Sequence, residues 1–345
     1  MKRREVFNIK PKAMFLSNSG QKGVHSAYSA DTLNQLSDLL DLDDTVYDID
    51  SLDAITASQA EIIFSTWGMP QFSESEVRQN FPKAKILFYA AGSVQDFAAP
   101  FLNCGIRVVS AWAANAIPVA EFTFAQIILA NKGYLQNQHA IKEQGYNVAN
   151  AFTRNNSRGT FDCTLGIIGA GMIGKKVIEM FNACGVRVNI LVYDPFLSED
   201  TARSLGVTFC SLEELFKESH VISNHLANNP QTVGILSYDL FRHMKPSATF
   251  INTGRGAQVV EADLIRALNE FPTRSAFLDV TDPEPPVEGH AFYSMHNVFL
   301  TSHISGSFGD ETYRLGEFML DELKSYLECK ELEYEVTLQM LETMA

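Results

Sequence analysis

The chain has 345 residues, 46% apolar and 20% charged, enough for two domains with cores of their own and too hydrophobic for a disordered chain. A formal net charge of −14, with an isoelectric point near 5.0, argues against non-specific binding to nucleic acid or an anionic membrane. Five scattered cysteines (Cys104, Cys163, Cys184, Cys210, Cys329) form no CxxC pattern, so neither a disulfide framework nor a zinc site is expected, and reduced cytoplasmic thiols fit best.

The basic start, MKRREVFNIKPKAMFL, is interrupted by Lys10, Pro11 and Lys12 before the apolar core of a signal peptide can form. Residues 13–16, 62–65, 85–89 and 107–109 are short apolar runs of strand character, with helical patterns at 30–40 and 75–80. Such alternation predicts a parallel sheet covered on both faces. Residues 118–132 read as one long helix with Pro118 in its first turn. The apolar stretch 116–130 contains Glu121 and Gln126 and is too short to span a bilayer. A polar stretch, 136–161, follows.

Residues 164–194 carry the most specific signal. A strand at 165–168 runs into Gly169-Ala170-Gly171-Met172-Ile173-Gly174, then a helical pattern through Val177, Ile178 and Phe181, then a strand at 188–193 closed by Asp194. Each part suits a dinucleotide: Gly169 permits a tight turn, Gly171 lets backbone approach a pyrophosphate, and Gly174 lets helix and strand pack closely. Asp194 stands where an acid meets a ribose 2′-hydroxyl, and no Arg follows it in Pro195-Phe196-Leu197-Ser198, which favours NAD over NADP.

The alternation continues with strands at 207–209, 221–224, 248–252, 275–279 and 297–301, and helices at 212–217 and 262–269. Residues 309–329 form an amphipathic helix that returns to the first domain, with about one more helix after Cys329. Ligands of open parallel sheets bind beyond the carboxyl ends of strands. Three strands end in chemically able residues: Arg255, Glu284 and His303. A His can give or take a proton at neutral pH, a carboxylate beside it fixes its tautomer and favours the imidazolium, and an Arg grips a carboxylate. Taken singly, Arg255 reads as a surface residue, Glu284 as an exposed turn and His303 as a capping histidine; together, after a dinucleotide unit, they read as a site. His225 ends a strand and is placed near the cofactor cleft, whereas His25, His139, His220, His243, His290 and His296 read as surface or packing residues without such partners. No GxSxG elbow or zincin motif occurs, and no metal is expected.

The chain resembles the D-isomer-specific 2-hydroxyacid dehydrogenases that use NAD. The resemblance spans roughly 62–324, through GIIGAGMIG (166–174), VYDP (192–195), MKPSATFINTGRGAQVVEADLIRAL (244–268), FLDVTDPEPP (277–286), FLTSHISGS (299–307) and PVAEFTFAQIILA (118–130). It implies an α/β fold of two Rossmann-like, doubly wound parallel-sheet domains with a cleft between them. A discontinuous substrate domain (1–117 and 309–345) would flank an NAD-binding domain (118–308), and a homodimer would form through the latter. His303 would be the acid/base, Glu284 its orienting partner and Arg255 the substrate anchor. Cofactor contacts would fall on Gly169, Gly171, Met172, Ile173, Gly174, Asp194, Ala227, Thr232, Thr253, Gly254, Asp279, His303 and Gly306, with Asp279 near the nicotinamide. Ala91, Gly92 and Ser93 match a loop whose amides hold the substrate carboxylate.

Three positions depart from the family pattern: Phe97 for an Asp, Ser302 for a Pro before the histidine, and Ala227 for a Pro. Trp67, near where phosphoglycerate-acting relatives carry an Arg, reads equally as a substrate wall or as core packing. The expected reaction interconverts a 2-oxo acid and its D-2-hydroxy acid. The alternatives are a phosphoglycerate dehydrogenase and a non-enzymatic NADH-sensing protein of the corepressor kind that shares this fold.

Overall fold

The computed structural model describes residues 10–342; the basic start at 1–9 lies outside the described residues. The chain divides into two compact units, one running to Asn115 and resuming at Phe308, the other Ala116–Ser307.

In the first unit, β1 (Lys12–Leu16), β2 (Asp41–Tyr47), β3 (Ile62–Ser65), β4 (Ile86–Tyr89) and β5 (Arg107–Ser110) form a parallel sheet in the order β5-β4-β3-β1-β2. Every residue of β3 and β4 is buried, as expected of strands covered on both faces. Alternate residues feed opposite cores: Phe15, Phe64 and Phe88 on one side, Met14, Ile63 and Leu87 on the other. The helix Tyr313–Leu327 brings Leu315, Met319 and Leu323 into the first of these cores. Gly316 allows the approach, because a Cβ there would lie 2.4 Å from the Ala27 carbonyl oxygen.

Two elements of this unit carry no clear sequence signal. β2, DLDDTVY, has three aspartates, yet pairs with β1 as an edge strand, where charge is tolerated and discourages pairing with other chains. After Cys329, where about one more helix is expected, the chain forms a short strand, Glu335–Val336, antiparallel to β5, and then a one-turn helix, Met340–Glu342. Arg107 donates to both Glu335 carboxylate oxygens at 2.6 Å, which ties that strand in place.

In the second unit, β6 (Cys163–Ile168), β7 (Val188–Tyr193), β8 (Thr208–Phe209), β9 (Val221–Asn224), β10 (Thr249–Asn252), β11 (Ser275–Leu278) and β12 (Val298–Leu300) form a parallel sheet. Its order is β12-β11-β10-β9-β6-β7-β8, and the winding reverses between β6 and β9, the place where open sheets bind ligands. Ile168 pairs with Asn224, Asn224 with Asn252, Asn252 with Leu278, and Leu278 with Leu300. The loops that follow these strands therefore all leave from one edge.

The helix after β5 spans Trp112–Asn131, so Pro118 lies inside it and not in its first turn. Proline has no N–H for the Ala114 carbonyl, a cost of about 3 kcal/mol in an ordinary helix. Burial of Ala113, Ala114, Ala116 and Ala120 along the same segment offsets that cost. The helix has 20 residues and is long and apolar enough to cross a membrane by composition, which corrects the expectation from its length. Ala120, Ile127 and Ala130 instead pack with Leu165 and Ile167 of β6, as in a core helix. The polar stretch 136–161 holds two helices, Tyr134–Gln144 and Tyr146–Asn156, joined at Gly145 with φ +82°. Asn137 links them by donating to Ala149 O and Thr153 Oγ1. Abundant Asn and Gln hide the helical period there.

Candidate active site

The glycine loop follows β6. Gly169 has φ +88°, and a Cβ there would lie 2.8 Å from the His225 carbonyl oxygen, so only glycine lets the β6 and β9 ends close together. A Cβ on Gly174 would lie 2.1 Å from Gly169 O, whereas one on Gly171 would meet open space. The helix Met172–Ala183 begins at Gly171 with no side-chain cap, which leaves its first-turn amides for an anion. Asp194, at the end of β7, accepts from Ala170 N at 2.7 Å and Phe196 N at 2.8 Å. An open approach at Gly171, uncapped amides and a carboxylate at the next strand end fit a dinucleotide with a free ribose 2′-hydroxyl.

β10 delivers Thr253, Gly254 and Arg255. Thr253 is buried, with its hydroxyl 3.0 Å from that of Thr123 on the long helix. Arg255 is half-buried and donates to Gly254 O at 2.9 Å. Burial pulls its guanidinium below the ordinary value, and the Glu284 charge opposes that. A Cβ on Gly256 would lie 2.0 Å from the Thr281 carbonyl carbon, so the Arg255 loop presses directly on the segment that leads to Glu284.

β11 and β12 deliver the other two members. His303 Nδ1 lies 2.7 Å from Glu284 Oε1, and both side chains are nearly half exposed. His303 has φ +55°, an unusual value for a non-glycine residue. Asp279 holds that turn. Its carboxylate accepts from Thr301 Oγ1 at 2.6 Å, Ile304 N at 2.8 Å and Ser305 N at 2.9 Å, and its carbonyl accepts from His303 N at 3.0 Å. Burial raises the Asp279 carboxyl, but the bonds from Ser305, Thr301 and Ile304 outweigh it and leave the group below its ordinary value. Gly306 continues the turn.

Ala227 and Thr232 sit in the loop after β9, where Thr232 Oγ1 donates to Ala227 O at 2.7 Å. In the first unit, Ala91, Gly92 and Ser93 follow β4. Thr66 and Ser110 hydroxyls take the carbonyls of Ala90, Ala91 and Gly92, which pins this loop to the sheet. Phe97 packs edge-on against Tyr89 with centroids 4.7 Å apart and is buried, so the departure from Asp serves the core. Trp67 is 40% exposed at the end of β3, which answers the core-packing reading against it.

The remaining histidines are better partnered than the sequence implied. His290 pairs with Glu261 at 3.2 Å, half-buried, and His243 lies 3.7 Å from Glu213. His220 Nδ1 accepts from Thr164 N at 3.0 Å. His225 is buried with Nε2 2.9 Å from Ser223 Oγ, and burial pushes its pKa down to about 4. Sequence reasoning also missed Asn224, Gln258 and Glu261. The only signal for the first two is an amide at a strand end and an amide within the apolar run AQVV.

Residues 124–305 match the model of the D-isomer specific 2-hydroxyacid dehydrogenase, NAD binding domain. A D-3-phosphoglycerate dehydrogenase of Archaeoglobus fulgidus is 31% identical over 219 residues, covering 64% of this chain and 40% of that protein. The chain thus spans about two fifths of the length of that relative. A glyoxylate reductase of Korarchaeum cryptofilum is 29% identical over 254 residues, 73% of this chain and 76% of the relative. Among solved structures, the apo D-mandelate dehydrogenase of Rhodotorula graminis has the same fold, with a TM-score of 0.81 at 18% identity over 95% of this chain and 98% of that one. With its glycine loop, strand-edge trio and more than half its length matched by that model, the chain belongs to the D-isomer specific 2-hydroxyacid dehydrogenase family.

Proposed function

We propose that the protein is an NAD-dependent oxidoreductase interconverting a 2-oxo acid and its D-2-hydroxy acid. The observation that carries this reading is the 2.7 Å His303–Glu284 pair, held at the same sheet edge as Arg255. NAD(H), when bound, supplies or accepts the hydride. The chain's own residues do the rest. His303 Nε2 gives a proton to the ketone oxygen in reduction and takes it back in oxidation, while Glu284 holds Nδ1 and balances the imidazolium charge. Arg255, fixed in charge, grips the substrate carboxylate or polarises the ketone. Asp279 keeps the His303 turn in position through three donors.

The cofactor reading draws on Gly169, Gly171, Met172, Ile173, Gly174 and Asp194, with Ala227, Thr232, Thr253, Gly254, Asp279 and Gly306 completing the second unit's contribution. The first unit is the substrate domain, where the amides of Gly92 and Ser93 receive the carboxylate. The exposed Trp67 indole favours a substrate tail without phosphate. Exposed Tyr146 and Val148 on the paired helices support a homodimer formed through the second unit, and five unpaired cysteines accord with a reducing cytoplasm.

The test is NADH oxidation with glyoxylate, pyruvate, hydroxypyruvate, phosphohydroxypyruvate and longer 2-oxo acids, alongside direct NADH titration. Turnover of one or more non-phosphorylated acids is expected. NADH binding without turnover of any acid, together with a stoichiometric protein partner in a pull-down, would replace this reading with the NADH-sensing one.

A further inference from the structure

Three buried amides lie behind the loops just described, at the point where the sheet reverses its winding. Asn224 closes β9, Asn252 closes β10, and Gln258 sits one turn beyond Arg255; none is more than 1% exposed. They bond to one another: Asn224 Nδ2 donates to Asn252 Oδ1 at 3.0 Å and to Gln258 Oε1 at 2.6 Å. Their remaining groups turn outward to backbone. Gln258 Nε2 donates to Leu226 O at 2.8 Å and Ala227 O at 3.0 Å, and Asn224 Oδ1 accepts from Leu226 N at 3.3 Å. Asn252 accepts from Gly254 N at 3.1 Å and donates to Arg255 O at 3.1 Å.

Two loops that leave different strands are thus laced together by one set of side chains. A Cβ on Gly254 would lie 3.2 Å from both Asn224 Nδ2 and Gln258 Oε1, so the amides also set how closely the Arg255 loop can approach. Position 227 is an alanine, with no ring to restrict its backbone, and its carbonyl is clamped from two sides, by Gln258 and by Thr232. A core needing only to be filled would use apolar side chains here, because buried amides are tolerated only when fully bonded. These are bonded to the two loops that carry Ala227 and Arg255.

We infer that Asn224 and Gln258 act as one positioning unit, setting the Leu226–Ala227 loop and the Arg255 backbone relative to each other for cofactor and substrate. The inference rests on the roles proposed above for Arg255 and Ala227. Replacing both members by apolar groups of similar size removes the lacing and the Asn224–Gln258 bond together; Leu226 N, Leu226 O and Asn252 Oδ1 each lose one partner, while Ala227 O keeps Thr232. Replacing one alone strands the other.

The deciding experiment compares the parent with the double variant Asn224→Leu/Gln258→Met, reading the unfolding midpoint, NADH affinity, KM and kcat for the 2-oxo acid turned over best, and backbone hydrogen exchange. The expected result is a cooperative transition at a lowered midpoint, with KM and the NADH Kd each raised about tenfold, kcat changed much less, and faster exchange confined to 225–232 and 253–256. Parental exchange in both segments, or parental KM and Kd at faster exchange, would overturn the inference. If the double variant does not fold, Gln258→Asn, one methylene too short to reach both carbonyls, is read by the same criteria. If the parent turns over no 2-oxo acid, the proposed function fails on its own account. The exchange of the two segments and the NADH Kd then decide the lacing.

Discussion

Of the histidine–glutamate pairs in the second unit, the two closest are built from the same chemistry and put to different uses. His303 and Glu284 lie 2.7 Å apart with side chains 47% and 41% exposed, whereas His290 and Glu261 lie 3.2 Å apart at 18% and 13%. The half-buried pair has its hydrogen-bonding capacity spent on structure: Glu261 Oε1 accepts from Asp282 N at 3.0 Å, and His290 Nδ1 accepts from Phe292 N at 3.4 Å. In the exposed pair the histidine has one nitrogen on the carboxylate and its other ring nitrogen free of any partner among the described residues. What a pair leaves unbonded decides whether it has a nitrogen to offer a substrate. The half-buried pair supports the other, since Asp282 is two residues from Glu284 and packs against Gly256 beside Arg255.

Exchanging the two histidines for alanine gives the sharpest contrast. His303→Ala should lower kcat/KM about a thousandfold, worth about 4 kcal/mol, with NADH affinity changed far less and the unfolding midpoint unchanged. Retention of most turnover would remove His303 from the acid/base role. A third histidine extends the comparison to full burial. His225 has its pKa pushed down to about 4 in the folded protein, below an unfolded value of about 6.5, so the unfolded chain protonates first as pH falls. Its contribution is complete above pH 6.5 and is lost toward pH 4, by about 3 kcal/mol at most. Urea unfolding of the parent and His225→Gln across that range should show a flatter profile in the variant.

His290→Ala should behave oppositely to His303→Ala, losing about 1–2 kcal/mol of stability with turnover falling far less. A large kinetic defect at parental stability would erase the distinction between the pairs. The smallest effect concerns Glu261, whose carboxyl is raised by burial, the Asp282 N–H bond and His290 opposing it. A raised carboxyl stabilises fully below its unfolded pKa, near 4.5, and that contribution fades as pH rises through the folded value. Glu261→Gln should therefore remove part of the decline in thermal midpoint from pH 4.5 upward, measured by melts in a buffer series. An unchanged decline would assign it to other groups.

Much of this site is legible along the chain because its signals are local. Gly169, Gly171 and Gly174 state a backbone path, and Asp194 follows at a spacing set by one helix and one strand. Arg255, Glu284 and His303 each follow an apolar run of strand length. Long-range pairing leaves no such trace. β2 carries no strand signal because its aspartates argue against a strand until β1 supplies a partner. Arg274 looks like a surface residue, yet it is 2% exposed, its guanidinium bonded to the carbonyls of Arg242, Met244, Lys245 and Ala267. Gln258 looks like a polar interruption and proves to bridge two loops.

The sequence by itself determined the dinucleotide loop, the preference for NAD implied by an acid at Asp194, and the identity of the three chemically able residues. These follow from backbone sterics and side-chain type, which need no tertiary partner. Only the tertiary structure decided which histidine keeps a free nitrogen, which carboxylate is spent on an amide, and which amides lace the loops. Those outcomes depend on what stands opposite each group across the sheet, and hydrogen bonds form only between atoms that folding has brought within about 3 Å.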